Sequence, residues 1–384
     1  MATIFRSLAQ LIHHADIELV TWVPGYGVSE TYEKYEQISG NSQRVSFHEE
    51  VAYGIAHGAA LTGKRATVLM KSHGFAKAAN AVIDSLSCGT TAAFLVLVFH
   101  DVKGLHSDSI LDTRALLRGT GIPFWEVSAD SVNEDFQWAI EYSESTELPT
   151  ALIIHTDLSD QPEGLDANLS VGHTSSYQRD IAQHVLCPVF ADYQSQVLAA
   201  KHNGMGWREI SKPKIPIIPN GLPSRYQKAV MPYLSVMKVF QSIRGDVMCG
   251  DTGVSSFFAL PPFDCIDVTT YMGGSIPLAI GAMLSGYRNV WAVTGDFAFC
   301  AAGHLGLMEA FPRHLPIKIL VLNNHKAEST GGQAVPGLFL EMILKAYQPW
   351  VRTIFHPDDE SEIRMILDEA SQAQEMRIVV ADYQ

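Results

Sequence analysis

NVWAVTGDF (289–297) and IKILVLNN (317–324) are the two stretches on which the reading of this chain turns. Each is a short apolar run rich in Val and Ile that stops abruptly, one at Gly295-Asp296-Phe297 and the other at Asn323-Asn324. Runs of this length bounded by turn residues fit strands buried on both faces. Outward from them, DVMCG (246–250), CIDVT (265–269) and MRIVVADY (376–383) read the same way, with helical patterns at 275–286, 300–312 and 358–372. The first half repeats the architecture without repeating the sequence. Its strands are IELVTWV (18–24), RATVLM (65–70), TAAFLVLVF (91–99), IPFWEV (122–127) and PTALIIHT (149–156), and its helical patterns lie at 49–62, 75–88, 108–119 and 131–143. Between the halves, 159–224 is rich in Asp, Gly, Ser, Asn and Pro, with four prolines in KPKIPIIPNGLP (212–223). That composition reads as a linker or crossover. The prediction is an α/β chain of two tandem domains, 1–158 and 225–384, joined by 159–224, each a mostly parallel sheet with helices on both faces.

Composition narrows the function. The chain has 384 residues, 47% of them hydrophobic, and 41 acidic against 27 basic side chains give a formal charge of −14. That field repels nucleic acid and anionic membrane surfaces, and no Lys/Arg cluster offsets it. An anionic ligand must therefore be held by backbone amides, helix N-termini or a bound cation. The cysteines, Cys88, Cys187, Cys249, Cys265 and Cys300, form no C-x-x-C pair. They read as buried free thiols rather than zinc or iron–sulfur ligands. With no signal-peptide pattern and no membrane-length apolar window, a cytoplasmic protein is expected.

In a parallel sheet, neighbouring strand ends open into one crevice. Asp296 and Asn324 at two such ends offer hard oxygen ligands suited to Mg²⁺, and the helix after Gly295 offers amides to a diphosphate. Alone, Asp296 reads as a helix cap and Asn323-Asn324 as a turn. Together at strand ends they read as a metal–phosphate site.

At this point the sequence resembles the thiamine diphosphate enzymes, whose signature is Gly-Asp-Gly followed at a similar distance by Asn-Asn; here Phe297 replaces the second glycine. The resemblance implies thiamine diphosphate and Mg²⁺ as cofactors. Asp296, Asn324 and the Lys326 carbonyl would be the metal's protein ligands, and Gly295 would approach the diphosphate. YMGGSIPLAIGAMLSG (271–286) resembles the family's glycine-pair segment, in which Met272 would prop the cofactor and Gly273 and Gly274 would pass close to it. FHEEVAYGIAHGAALTGKRATVLMK (47–71) is similar to the pyrimidine-domain signature. Keeping Gly58 and Thr62-Gly63 in place makes Glu49 the functional acid, leaving Glu50 to favourable helix-dipole chemistry. The Glu49 carboxyl would favour the imino form of the aminopyrimidine, which takes the thiazolium C2 proton, and the thiazolium would accept electrons as CO₂ leaves.

HKAESTGGQAVP (325–336) and KSHGFAKAAN (71–80) look like segments of phosphonopyruvate and sulfopyruvate decarboxylases, with Asn80 matching a cofactor-binding residue and His73 replacing a small polar one. MKSHGFAKAAN (70–80), LHSDSILDTR (105–114) and YMGGSI (271–276) are also similar to segments of the thiamine-binding subunit of indolepyruvate ferredoxin oxidoreductase, which carries a cysteine-rich module this sequence lacks. The expected reaction is non-oxidative decarboxylation of a small 2-oxo acid to an aldehyde. Partner-dependent oxidation and acyloin-forming carboligation remain alternatives. His73, His106 and Glu328 are candidate proton handlers. Lys71, Lys77, Lys103 and Arg114 are available cations should the substrate carry a phosphonate or sulfonate, although a neutral 2-oxo acid also fits. A homodimer or homotetramer with the site at the subunit interface is implied.

Overall fold

The computed structural model describes residues 4–158 and 176–383, which fall into two compact units divided between Gln178 and Arg179. In the first, the described elements run α1 (Phe5–His14), β1 (Leu19–Trp22), α2 (Val28–Ser39), α3 (Glu49–Leu61), β2 (Ala66–Lys71), α4 (Ser72–Cys88), β3 (Phe94–His100), α5 (Thr113–Thr120), β4 (Phe124–Glu126), α6 (Val132–Thr146) and β5 (Thr150–His155). The described strands form a parallel sheet in the order β1-β2-β3-β5-β4. Apolar runs become central strands because both their faces are covered: Phe94 through Phe99 of β3 are all buried. Each fully buried Phe or Leu contributes about 1.5–3 kcal/mol. Small residues let α3 in close, so that every residue from Val51 to Leu61 is buried.

The second unit's described elements are α7 (Ile181–His184), α8 (Ala191–His202), α9 (Ser224–Val230), α10 (Leu234–Ile243), β6 (Val247–Asp251), β7 (Val268–Thr270), α11 (Ser275–Leu284), β8 (Val290–Gly295), α12 (Asp296–Ala298), α13 (His304–Ala310), β9 (Lys318–Asn323), β10 (Lys326–Ala327), β11 (Gln333–Ala334), α14 (Gly337–Lys345), β12 (Val351–Ile354), α15 (Glu360–Gln372) and β13 (Arg377–Asp382). Its sheet is parallel in the order β12-β13-β9-β8-β6-β7, with β10 and β11 a separate antiparallel ribbon. Between α12 and α13, Phe299–Gly303 winds as a wider π-helical turn. The expected α/β class with parallel sheets is borne out.

Of the segment read as a linker, 159–175 lies outside the described residues. Its described remainder does not run free. Ile181, Val185, Phe190, Val197, Ile218 and Leu222 pack into the second unit's core with Phe240, Phe257 and Trp291. Its helices carry little periodic signal, because their apolar residues are spread among prolines and polar side chains. Among the described residues, no helix is long and apolar enough to cross a membrane.

Candidate functional site

In the second unit the chain passes from β6 to β7 on one side, then returns to β8 on the other. Such a reversal opens a crevice at the carboxyl ends of the strands. A cavity of about 280 Å³ lies there, lined among others by Tyr233, Thr252, Gly253, Met272, Gly295, Asp296, Phe297, Asn324, Lys326 and Glu328. The structure thus brings Met272, Gly295, Asp296, Asn324, Lys326 and Glu328 to one cavity.

Asp296 opens α12 directly after β8 and is buried, and its Oδ2 has no hydrogen-bond partner. Burial holds its carboxyl above the usual carboxylate range, against lowering by its neighbouring backbone amides and His325. The two asparagines divide their work. Asn323 donates to Asp382 Oδ1 (2.8 Å), which also lies 2.9 Å from His325 Nε2. This pins a turn in which His325 adopts a left-handed backbone, φ 58°. Asn324 faces the cavity, where Nδ2 donates to the Tyr233 hydroxyl (2.6 Å) and Oδ1 accepts the Lys326 amide (3.1 Å). Glu328 Oε2 lies at the limit of contact, 3.5 Å from Asn324 Nδ2.

The glycine pair is required sterically. Gly273 has φ 86°, and a Cβ there would sit 2.6 Å from the Gly303 nitrogen; at Gly274 it would sit 2.3 Å from Thr270 Cγ2. No such demand exists at Phe297, which lies within α12 and lacks a left-handed backbone. The departure from Gly-Asp-Gly is therefore accommodated, and the Phe297 ring becomes part of the cavity wall.

Sequence reasoning missed two residues here. Tyr233 precedes α10 in a stretch with no strand or motif signal; burial, Glu328 and Asp296 push its hydroxyl pKa up. Asp251 ends β6 within CGDTG, and only its place at the end of an apolar run marks it. It is 1% exposed, accepts the Ser275 amide at 2.7 Å and accepts the Thr294 hydroxyl.

The first unit holds the other candidates. Glu49 begins α3, and Gly74 makes room for it, since a Cβ at that glycine would lie 2.7 Å from Glu49 Cγ. Glu49 Oε2 is 2.8 Å from Lys77 Nζ but aligned with no hydrogen-bond donor. Glu50, read as a dipole residue, instead accepts from Asn80 Nδ2 (3.1 Å), and burial raises its pKa. His73 Nε2 meets Ser109 Oγ at 2.9 Å, whereas the His106 ring stacks on Tyr26 at 3.7 Å. The two histidines therefore serve separate contacts. All four cations named for an anionic substrate are engaged: Lys71 with the His106 carbonyl, Lys77 with Glu49, Lys103 with Asp157 and Arg114 with Glu126.

Among the described residues, no cluster of three His, Cys, Asp or Glu side chains could hold a metal. A metal held by Asp296 and Asn324 would need further ligands from a backbone carbonyl, water or a phosphate-bearing cofactor, as Mg²⁺ commonly does.

Residues 251–348 match the family model described as thiamine pyrophosphate enzyme, C-terminal TPP binding domain. This part of the chain, which contains the cavity-lining strand ends, therefore carries such a domain. The chain is also similar to indolepyruvate oxidoreductase subunit IorA of Methanothermobacter thermautotrophicus, 28% identical over 161 residues, 39% of this chain and 26% of that protein. The corresponding subunit of Thermococcus kodakarensis is 29% identical over 36% of this chain and 22% of its own length. The chain thus matches about a quarter of the length of these relatives. Benzoylformate decarboxylase from Polynucleobacter necessarius superimposes over 100% of this chain and 99% of its own, with a TM-score of 0.66 at 13% identity. A thiamine diphosphate-dependent 4-hydroxybenzoylformate decarboxylase of Rhodococcus jostii covers 99% of both chains, with a TM-score of 0.63 at 12% identity. At such identities the likeness is one of fold.

Proposed function

We propose that this chain binds thiamine diphosphate and Mg²⁺ and catalyses the non-oxidative decarboxylation of a small 2-oxo acid to an aldehyde. The observation that carries this reading is the buried, unpartnered Asp296 Oδ2 beside Asn324 in a cavity whose strand ends match the thiamine pyrophosphate domain. An uncompensated buried carboxylate oxygen is costly, and a hard dication removes the cost.

Asp296, Asn324 and the Lys326 carbonyl would hold the metal, and the backbone at Gly273, Gly274 and Gly295 would approach the diphosphate. Bound thiamine diphosphate supplies the electron sink into which the C1–C2 bonding pair moves as CO₂ departs. Met272 projects into the cavity to shape the cofactor's seat. Glu49 holds and returns a proton at the aminopyrimidine, the role its position at the start of α3 supports. Glu328, which lines the same cavity, would deliver a proton to the substrate carbon; His73 and His106 are secondary candidates for proton handling. The working assembly would be a homodimer or homotetramer with the site at the subunit interface.

The test incubates purified protein with thiamine diphosphate, Mg²⁺ and a panel of 2-oxo acids, without an electron acceptor, following CO₂ and aldehyde together. One aldehyde per CO₂ is expected. Turnover appearing only with a redox partner and CoA would overturn this in favour of oxidation, the reading that similarity to the indolepyruvate oxidoreductase subunits supports. Acyloin in place of free aldehyde would indicate carboligation.

A further inference from the structure

We infer that Asp251 is a positioning residue that hangs both walls of the cofactor cavity from one buried carboxylate; the inference rests on the thiamine diphosphate reading of that cavity. Asp251 ends β6, the strand between β7 and β8 at the reversal of the sheet. Its Oδ1 accepts the Ser275 amide at 2.7 Å. Ser275 opens α11, directly after the turn that follows β7 and brings Met272 to the cavity. Its Oδ2 accepts the hydroxyl of Thr294, two residues before Asp296. One side chain therefore spans three strand ends and bonds to the segments bearing Met272 on one side and Asp296 on the other.

A purely structural role does not account for the choice of residue. Among the described residues Asp251 makes no ion pair, so its charge is carried by dipoles alone. The unit's other aspartate of equal burial, Asp267, shows what structural use looks like. It is paired with Arg179 and Arg244 and takes the Met248 amide at 2.9 Å. Asp251 instead gathers donors from the segments whose relative position sets the width of the cavity. Hydrogen bonds to an ionised acceptor are shorter and stronger than neutral ones, so they hold these segments to a single spacing. Thr294 completes the device, because its hydroxyl ties β8 to the same carboxylate that takes the Ser275 amide.

The test compares Asp251→Asn, Thr294→Val and Asp267→Asn for thiamine diphosphate binding by calorimetry in the presence of Mg²⁺, alongside melting of the unliganded chains. Asp251→Asn keeps shape but replaces an acceptor with a donor, and should weaken cofactor binding about tenfold with little change in melting temperature. Thr294→Val, which leaves the carboxylate and its amide donor in place, should weaken binding about threefold. Asp267→Asn should do the reverse, lowering the melting temperature with affinity held within about twofold. Unchanged affinity in folded Asp251→Asn and Thr294→Val, with a native chain that binds, would overturn the inference. Should Asp251→Asn not fold, Thr294→Val decides alone. A native chain that fails to bind thiamine diphosphate would instead overturn the reading of the cavity itself.

Discussion

The two units share a parallel α/β architecture, yet the carboxyl edges of their sheets are finished in opposite ways. In the first, polar groups at the strand ends satisfy one another. The Thr113 hydroxyl reaches Ser72 Oγ at 2.8 Å and His100 Nδ1 at 2.9 Å, while Glu126 at the end of β4 takes both His155 and Arg114. Asp101 accepts the amides of Leu105 and His106 at 3.1 and 2.6 Å. In the second, Asp296 Oδ2 and Thr270 Oγ1 are buried without partners, and Asp296 lines an open cavity. The first edge is closed largely by its own hydrogen bonds, with Glu49 Oε2 at the start of α3 left without an aligned donor, while the second leaves Asp296 Oδ2 short of one at its cavity. Fold alone does not locate a site; the unbalanced polar groups do.

The sharpest way to break this contrast is to neutralise each edge in turn. Asp296→Asn should weaken Mg²⁺-dependent thiamine diphosphate binding at least about a hundredfold, because it removes the one charged oxygen ligand that the protein would offer the dication. The unliganded chain should melt no lower than the native one, since the buried Oδ2 has no partner to lose. Glu49→Gln sharpens the division of labour: cofactor binding should persist while turnover falls on the order of a thousandfold, the scale of a general acid–base group. A parallel loss of binding would move Glu49 from chemistry to assembly.

A third prediction concerns stability. Asp84 on α4 is raised to about 6, first by burial and then by Glu50. A raised carboxyl favours the fold while protonated and progressively opposes it as pH rises from near 4 through 6. Asp84→Asn should therefore stabilise the chain at pH 7 by on the order of 2 kcal/mol, with a gain that shrinks by pH 5 in paired melts. A constant gain across that range would remove titration as its cause. The smallest expected effect is that of Tyr233→Phe. Losing its bond to Asn324 should cost about 1 kcal/mol of cofactor binding, roughly fivefold in the calorimetric constant, with melting little altered.

Much of this was legible in the sequence, and the failures have physical causes. Apolar runs marked β3, β8 and β9 because central strands of a parallel sheet are covered on both faces. β12 was not read from its sequence: Val351, Arg352 and Thr353 are only half-buried at the edge, and the apolar signal is diluted. The helices at 181–202 went unread because their buried residues do not fall along one stripe; α10 does bury one stripe, Val236, Met237, Val239 and Phe240, but it is short and follows a proline-rich stretch. At the site, Asp296 and Asn324 were visible because a short motif carries them. Asp251 and Tyr233 were not, since each matters through a bond to a residue distant in sequence, 43 positions for Asp251–Thr294 and 91 for Tyr233–Asn324. Spacing reports what a strand end presents, whereas the support behind it becomes visible only in three dimensions.

The wide turn at Phe299–Gly303 has a consequence for chain length. It sits directly after the residues of α12 and presents Ala302 and the Gly303 nitrogen to Gly273. A π turn holds one residue more than the flanking α-helix needs, its five residues sweeping about the angle that four sweep in an α-helix. Deleting one residue here would let the segment close into a plain α-helix, with Gly306, Leu307 and Ala310 keeping their buried facing and the Glu309–Arg313 pair staying in place. What the deletion would remove is the bulge that meets Gly273. The extra residue in this segment therefore serves the glycine turn beside it, and the packing further along the helix does not depend on it.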